Sequence, residues 1–246
     1  MRSIRAVTVR MVRTVTESIL DVVFPRRCLV YGTPLDGREH LVGVSNAAFE
    51  EFLPAPSSAE LLSLVYSHFD RDDVYIDNVF ARWAVSPVSD VSAVIHAIKY
   101  QGRYKLAVAL GRELGRAALF ADCIPLQAES PIIIPIPIHA ARRRERGYNQ
   151  AEAISKGLAE ITGLHVNVTT VRRVRWTGTQ TALNSRERLQ NIRSAFTIDD
   201  PHIIRNSTVI LVDDVLTTGA TTNACAECVL DAGARRVLVW TVAATV

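Results

Sequence analysis

Cysteines and long hydrophobic runs are scarce in this sequence of 246 residues. The four cysteines are Cys28, Cys123, Cys225 and Cys228. Their spacing does not match a disulfide framework, which favours a protein that works in the reducing cytoplasm. Cys225 and Cys228 would lie on one side of the same helix, where two small apolar side chains are better interpreted as helix packing than as a redox or metal pair.

The N-terminal segment also lacks the features of a targeting sequence or a membrane span. Its apolar residues are interrupted by Glu17 and Asp21, so they do not form a hydrophobic stretch of the required length. We therefore expect no membrane insertion. A short amphipathic helix is predicted from Thr16 to Phe24, and Pro25 ends it.

The formal net charge of +3 is too small to indicate a partner, but the charges are unevenly distributed. Residues 133–196 contain eleven Arg or Lys and four acids, so this segment carries +7 and the rest of the chain carries −4. An anionic ligand or a nucleic acid is expected near this basic segment.

Strand and helix patterns alternate through most of the chain. Val79 to Val85 alternates like a strand, helical patterns start at Asp90 and Tyr104, and a buried strand is predicted within residues 131–139. This alternation indicates an α/β fold with a doubly wound, mostly parallel sheet. We expect one large domain at residues 57–246 and a small, loop-like N-terminal appendage at residues 1–56.

The stretch from Val209 to Thr221 carries the clearest chemical pattern. Four apolar residues predict a strand buried on both faces, and Asp213 and Asp214 follow where that strand is expected to end. Carboxylates at this place suit sugar hydroxyls, or Mg²⁺ held through water. The next helix would begin among small residues, and its free N–H groups and dipole suit a phosphate. The pattern predicts a site for ribose 5-phosphate, although a plain strand, turn and helix is the alternative. The phosphate-binding residues would be Thr217, Thr218, Gly219, Ala220 and Thr221.

This stretch resembles the phosphoribosyl pyrophosphate (PRPP) signature of the type I phosphoribosyltransferases. In that signature, four hydrophobic residues, two acids and two hydrophobic residues precede Thr-Thr-Gly-x-Thr. The resemblance implies that Asp213 and Asp214 are the catalytic acids near the sugar ring. It also implies PRPP as the ligand, with Mg²⁺ as the cofactor that accompanies it.

A basic turn follows the strand predicted within residues 131–139. Prolines at the carboxyl end of a strand fix the turn, and doubly wound sheets bind ligands at that edge. Four arginines in this turn would suit pyrophosphate, and a solvated basic surface is the alternative. The residues assigned to the pyrophosphate side are Pro137, His139, Arg142, Arg143 and Arg146.

Residues 173–190 form a long polar connection without sustained apolar periodicity. Such a connection in a compact domain is usually functional or disordered. We predict a flexible loop that covers a reactive phosphate ester and excludes water. The residues named for this loop are Thr179, Gln180, Arg186 and Arg188.

Several motifs together resemble the ComF family of phosphoribosyltransferase-like proteins. The matching segments are residues 99–103, the Arg-x-x-Arg-Gly-Tyr-Asn-Gln run at 143–150, Thr179-Gln180, and the signature itself. The resemblance implies a bacterial cytoplasmic protein with a type I phosphoribosyltransferase fold. Several members of this family are associated with uptake of single-stranded DNA during natural transformation. The resemblance does not establish a substrate.

The N-terminal segment departs from the ComF pattern, which usually has two Cys-x-x-Cys pairs that hold zinc. Cys28 and Tyr31 stand at the first pair, and Ser45 and Ala48 stand at the second. One thiolate cannot hold a structural zinc ion, so we expect no zinc in this protein. The segment would then fold by packing on the main domain or on a second chain, which leaves a homodimer open.

Two classes of function follow from these features. The first is an enzyme that transfers phosphoribosyl to a nitrogen nucleophile while pyrophosphate leaves toward residues 137–146. The second is a non-catalytic module that holds PRPP or phosphate while the basic segment binds single-stranded DNA. In the second class, Tyr148 and Trp176 would stack on bases.

Overall fold

The computed structural model describes residues 25–124, 131–175 and 195–246. The helix predicted from Thr16 to Phe24 lies outside these ranges, as do Trp176 and the four residues named for the flexible loop. The chain divides into two compact units, Met1–Glu51 and Phe52–Val246. The division predicted from the sequence lay after residue 56. Residues 53–55 belong to the second unit because their backbone forms hydrogen bonds with Arg82 and Ala84, at 3.3 and 2.9 Å.

The described part of the first unit is rich in loops. Helix α1 (Asn46–Glu50) begins after Ser45, whose side chain accepts a hydrogen bond from the N–H of Ala48. Isolated antiparallel bridges join Arg27 to Pro34 and Leu41 to Val44. The buried apolar residues of this unit are Cys28, Leu41, Val44 and Ala48.

The second unit alternates strands and helices. Its strands are β1 (Asn78–Val85), β2 (Ile132–Pro135), β3 (His165–Val166), β4 (Val171–Arg173), β5 (Phe196–Ile198), β6 (Thr208–Leu216) and β7 (Arg236–Thr245). Its helices are α2 (Ser58–Tyr66), α3 (Asp90–Tyr100), α4 (Tyr104–Phe120), α5 (Ala140–Arg146), α6 (Gln150–Thr162) and α7 (Ala220–Asp231). Two 3₁₀ turns lie at Arg71–Asp73 and Pro201–Ile203.

Five strands form a parallel sheet in the order β1-β7-β6-β2-β3. β4 and β5 form a separate antiparallel pair. The parallel sheet with helices between its strands confirms the predicted fold class. Burial alternates along β1, as the sequence pattern predicted for this strand.

Both faces of the sheet are covered. β6 is buried at every position from Thr208 to Val212, as expected for a central strand of an α/β sheet. Val209 and Leu211 belong to a core cluster that also contains Val65 of α2 and Val229 of α7. Because side chains alternate along a strand, Ile210 and Val212 point to the opposite face.

Helices α4 and α6 pack against the sheet and closely against each other. A Cβ atom added to Gly111 would lie 1.9 Å from the carbonyl oxygen of Ile154, and one added to Gly157 would lie 1.9 Å from that of Val108. Each helix therefore places a glycine against the backbone of the other. A larger residue at either position would force the two helices apart.

The structure differs from the sequence-based expectations at β3 and at α5. The alternation of Val166 and Val168 in the sequence predicts a strand through Val168. β3 instead ends at Val166 because the Asn167 side chain accepts hydrogen bonds from the N–H groups of Thr169 and Thr170, at 3.0 and 2.9 Å. Such a side-chain turn stops the strand. The basic turn after β2 contains a short helix of its own, α5, which periodicity did not reveal because it has no apolar face.

Candidate functional site

The site lies where β2 and β6 separate. β2 pairs with β6 as far as Pro135 opposite Val212, and the N–H of Ile136 donates to the carbonyl of Val212 at 2.8 Å. β6 continues to pair with β7 as far as Leu216. The acid pair was expected after the strand, but it lies within β6 because β7 supports that edge. On the β2 side, the backbone of β6 beyond Val212 borders an opening.

Asp213 and Asp214 lie at this opening and point to opposite faces of β6, as neighbours on a strand do. The carboxylate of Asp213 accepts a hydrogen bond from the N–H of Asp214 at 2.8 Å. Asp214 is 7% exposed, and its Oδ1 lies 3.2 Å from Nζ of Lys99, at the end of α3. The two acids therefore have different neighbours, and their side chains do not point toward each other.

Asp213 is half-buried, on the face where β4 and α7 lie. Loss of hydration and the adjacent Asp214 carboxylate raise the pKa of Asp213 to about 7, against the opposing effects of its backbone hydrogen bond and of the cations Lys99 and Arg173. Burial lowers the pKa of Arg173, whereas Asp213 raises it. Arg173 was not recognised as a site residue from the sequence, since β4 had no clear pattern.

The loop after β6 has the geometry of an anion site. Gly219 adopts φ +79, and an added Cβ would lie 3.1 Å from Cγ2 of Val65, so glycine is required for both conformation and space. Thr218 Oγ1 accepts from the N–H of Ala220 at 3.4 Å, and α7 begins without a side-chain cap. Thr217 and Thr218 are exposed. The first turn of α7 thus presents its positive end at the surface, next to the acid pair.

Tyr148 and Asn149 hold the other side of the opening. The hydroxyl of Tyr148 donates to the carbonyl of Ile98 at 2.5 Å, and burial, together with the Asp214 carboxylate, raises the pKa of Tyr148 to about 12. The buried Asn149 donates from Nδ2 to the carbonyl of Ile136 at 3.1 Å and caps α6. These bonds fix the ends of α3 and β2 to the start of α6. From the sequence, Tyr148 was named only for base stacking, and Asn149 was assigned no role of its own.

The residues predicted for the pyrophosphate side follow β2, so they lie at the same edge of the sheet. Pro137 is half-buried, and His139 caps α5 by accepting from the N–H of Ala141 at 3.2 Å. Arg143 forms two hydrogen bonds with Glu152, at 2.7 and 3.0 Å. The guanidinium of Arg143 therefore pairs with α6, and its assignment to the pyrophosphate side stays a prediction.

The other arginines of α5 lie on two sides of the opening. Arg142 is close enough to Arg173 to lower the pKa of that guanidinium. The guanidinium of Arg146 lies 5.3 Å from the ring centre of Tyr100 at the end of α3. Arg144 is exposed. The turn thus places one cation near Arg173 and another at the end of α3.

The acids suit a magnesium ion that arrives with a ligand. Among residues 25–124, 131–175 and 195–246, no three His, Cys, Asp or Glu side chains are grouped to hold a metal. Mg²⁺ commonly binds through one or two carboxylates together with substrate phosphates and water, and Asp213 or Asp214 could supply such a carboxylate. When bound, the ion would offset charge on a pyrophosphate group.

At the positions aligned with the zinc module, hydrogen bonds surround a single sulfur. Cys28 Sγ accepts from the N–H and the hydroxyl of Ser45, both at 3.3 Å, and from the N–H of Val30 at 3.4 Å. Burial raises the pKa of Cys28, but the hydrogen bonds from Ser45, Tyr31 and Val30 together lower it below its ordinary value. The absence of zinc stays a prediction.

Comparison with known proteins gives the family. Residues 144–245 match the phosphoribosyl transferase domain. Competence protein F of Haemophilus influenzae is 31% identical over 157 residues, which are 62% of this chain and 67% of that protein. The chain belongs to the ComF family. DNA utilization protein YhgH of Salmonella typhi is 34% identical to this ComF family protein over 153 residues. The matched region is 61% of this chain and 65% of YhgH, so the chain spans less than two thirds of that relative.

Solved structures of other proteins are similar to part of this chain. Glutamine PRPP amidotransferase from B. subtilis, in complex with ADP and GMP, matches 54% of this chain and 25% of its own, with 19% identity and a TM-score of 0.36. Hypoxanthine phosphoribosyltransferase from Trypanosoma cruzi matches 56% of this chain and 64% of its own, with 12% identity and a TM-score of 0.35.

In the described ranges of this ComF family protein, no helix is long and apolar enough to cross a membrane.

Proposed function

We propose that the protein binds PRPP, or a ligand with a ribose 5-phosphate group, at the carboxyl end of β6. The observation that carries this proposal is the uncapped first turn of α7, which follows Gly219 directly and lies beside Asp213 and Asp214. A phosphate bound at Thr217 to Thr221 would interact with free N–H groups and hydroxyls. The carboxylates would then accept hydrogen bonds from the ribose hydroxyls.

The cations near β2 complete the site in this proposal. Lys99 beside Asp214, Arg142 near Arg173 and Arg146 over the ring of Tyr100 are the cations that a pyrophosphate group would contact. Mg²⁺ would accompany the pyrophosphate. The protein would act in the reducing cytoplasm, in keeping with its four free cysteines.

Transfer of the phosphoribosyl group is the reaction that this arrangement supports. The lone pair of a nitrogen nucleophile would form a bond to C1 of the ribose, and the bond from C1 to the pyrophosphate oxygen would break. Pyrophosphate would leave with the electron pair, and the nitrogen would lose a proton. The carboxylates would stabilise positive charge on the sugar, and the cations would stabilise the leaving group.

Calorimetric titration with PRPP and Mg²⁺, and separately with ribose 5-phosphate, tests the site. The variant Asp213→Asn/Asp214→Asn should lose at least about 30-fold in affinity because charge-assisted hydrogen bonds to the sugar are removed. Asp70→Asn/Asp72→Asn is the matched control, since both acids are exposed on a turn outside the site. Equal affinity of the wild type and the first variant would exclude this site. Release of pyrophosphate on addition of nitrogen nucleophiles tests turnover.

Binding of single-stranded DNA is a second candidate function. The observation in its favour is a pair of exposed tyrosines beside the basic turn: Tyr100 is 54% exposed and Tyr104 is 42% exposed. Arg146 lies over the ring of Tyr100. Exposed rings between cations can stack on bases while the cations contact phosphates. Tyr148, which the sequence analysis named for stacking, is half-buried and edge-on to Tyr104 with 5.6 Å between ring centres.

Fluorescence anisotropy of a labelled oligonucleotide across a salt series tests this candidate. We expect the logarithm of the affinity to fall with a slope of about −0.7 per phosphate contact. Tyr100→Ala should weaken binding by about 10-fold through loss of stacking. Tyr66→Ala is the matched control, because Arg71 stacks on Tyr66 at 5.6 Å in the same way, away from the basic segment. A flat salt response, or equal effects of both variants, would exclude the candidate.

A further inference from the structure

The ion pair between Lys99 and Asp214 brings a cation into the proposed PRPP site. Nζ of Lys99 lies 3.2 Å from Oδ1 of Asp214, and the side chains are 24% and 9% exposed. Asp214 also raises the pKa of Tyr148, so the lysine, the acid and the tyrosine lie around one point. An ammonium group this close to a buried carboxylate offsets its negative charge. A metal ion would have the same effect if the lysine were absent.

The structure holds Lys99 in this position from both sides. The residue before it, Ile98, accepts a hydrogen bond from the hydroxyl of Tyr148 at 2.5 Å. The ring of the residue after it, Tyr100, lies under Arg146. Lys99 itself is in the last turn of α3, where the helix dipole favours a cation. The backbone of Lys99 is therefore tied to the turn predicted for pyrophosphate, while its side chain keeps its flexible stem.

The negative charges of Asp213 and Asp214 are balanced by cations of the protein itself. Lys99 lies against Asp214, and both Lys99 and Arg173 act electrostatically on Asp213. Two acids thus face two cations. A site of this kind differs from a cluster of carboxylates, which needs a metal ion to offset mutual repulsion before an anion can enter.

We propose that Lys99 supplies the cation that binds the pyrophosphate group of PRPP, and that PRPP binding therefore does not require Mg²⁺. The inference rests on the proposed function. On binding, the ammonium group, which has three N–H donors, keeps its contact with Asp214 Oδ1 and also donates to the pyrophosphate oxygens, while the other oxygen of Asp214 accepts from a ribose hydroxyl. Mg²⁺ adds affinity when it is present and becomes essential only when the lysine is absent.

The test is calorimetric titration of the full chain with PRPP, in EDTA and in excess Mg²⁺. When EDTA replaces Mg²⁺, the affinity of the wild type for PRPP should fall by no more than about 5-fold. The affinity of Lys99→Met should fall by about 30-fold or more, because a charge-assisted contact is lost. Mg²⁺ should restore most of that loss. Lys99→Arg should resemble the wild type. Lys105→Met, which removes an exposed lysine from the first turn of α4, is the matched control and should also resemble the wild type.

Ribose 5-phosphate separates this inference from the proposed function, because it lacks the pyrophosphate. Its affinity should change much less than that of PRPP in Lys99→Met, and a thermal melt of each variant checks folding. Loss of wild-type PRPP binding in EDTA would overturn the role of Lys99 while ribose 5-phosphate still binds. The same metal dependence in Lys99→Met and wild type would also overturn it. If neither ligand binds the wild type in Mg²⁺, the proposed function itself fails.

Discussion

Replacing Asp213 with Asn should stabilise the ligand-free protein above neutral pH. Burial and Asp214 raise the pKa of Asp213 from its ordinary 3.8 to about 7, so the charged carboxylate is held at a cost in the folded state. Asn can keep the hydrogen bond that the Asp213 side chain accepts from the N–H of Asp214 at 2.8 Å. The substitution therefore removes the charge and preserves the local backbone.

The size and sign of the effect follow from the pKa. Because the folded pKa is raised, Asp213 contributes stability that is complete below pH about 4 and is lost as the pH rises through about 7. Three pKa units would correspond to about 4 kcal/mol at most. Asp213 is half-buried and close to cations that screen it, so we expect Asp213→Asn to gain about 1–2 kcal/mol at pH 8. The gain should shrink by half or more at pH 5.

Urea denaturation of both proteins at pH 5, 6.5 and 8 measures this difference. The slope of the free energy against urea should be the same in the two proteins, so that the midpoints report stability. Asp72→Asn is the control, since Asp72 is an exposed acid outside the site. A variant that is less stable than wild type at pH 8, or stability profiles that run parallel from pH 5 to pH 8, would refute the reasoning. The same variant should bind PRPP more weakly, which would show that the site trades stability for binding.

Three further predictions concern other parts of the chain. Gly219→Ala should destabilise by about 2–3 kcal/mol in thermal unfolding, and Gly163→Ala by only about 1–2, because both glycines have positive φ but only Gly219 has a close neighbour. Gly157→Ala should destabilise the protein by more than about 3 kcal/mol, because the added methyl group would meet the backbone of α4. Gly115→Ala should destabilise it less, because its added methyl group would meet side chains. Equal losses of stability would contradict the argument from the helix crossing. Elemental analysis of the purified protein should find no stoichiometric zinc, and one zinc per chain would show that the aligned positions at 28, 31, 45 and 48 were misassigned.

Local patterns were sufficient to predict most of the second unit. The alternation of β1, the bounds of α3 and α4, and the strand leading into Asp213 are visible in the sequence because periodicity is a local property of a chain that buries one face. The loop proposed to bind phosphate is a local pattern as well, since Gly219 and the threonines around it are adjacent in the chain. The family could be recognised from the same motifs.

Contacts between distant segments were decided by the tertiary structure alone. Nothing in the sequence indicates that Lys99 reaches Asp214, that Tyr148 holds the carbonyl of Ile98, or that β4 pairs with β5. The partners of the basic turn also differ from one arginine to the next, since Arg143 pairs with Glu152, Arg142 lies near Arg173 and Arg146 lies over the ring of Tyr100. A sequence shows which groups are charged, but the energy of a charge depends on its burial and on its neighbours, and only the folded chain sets both.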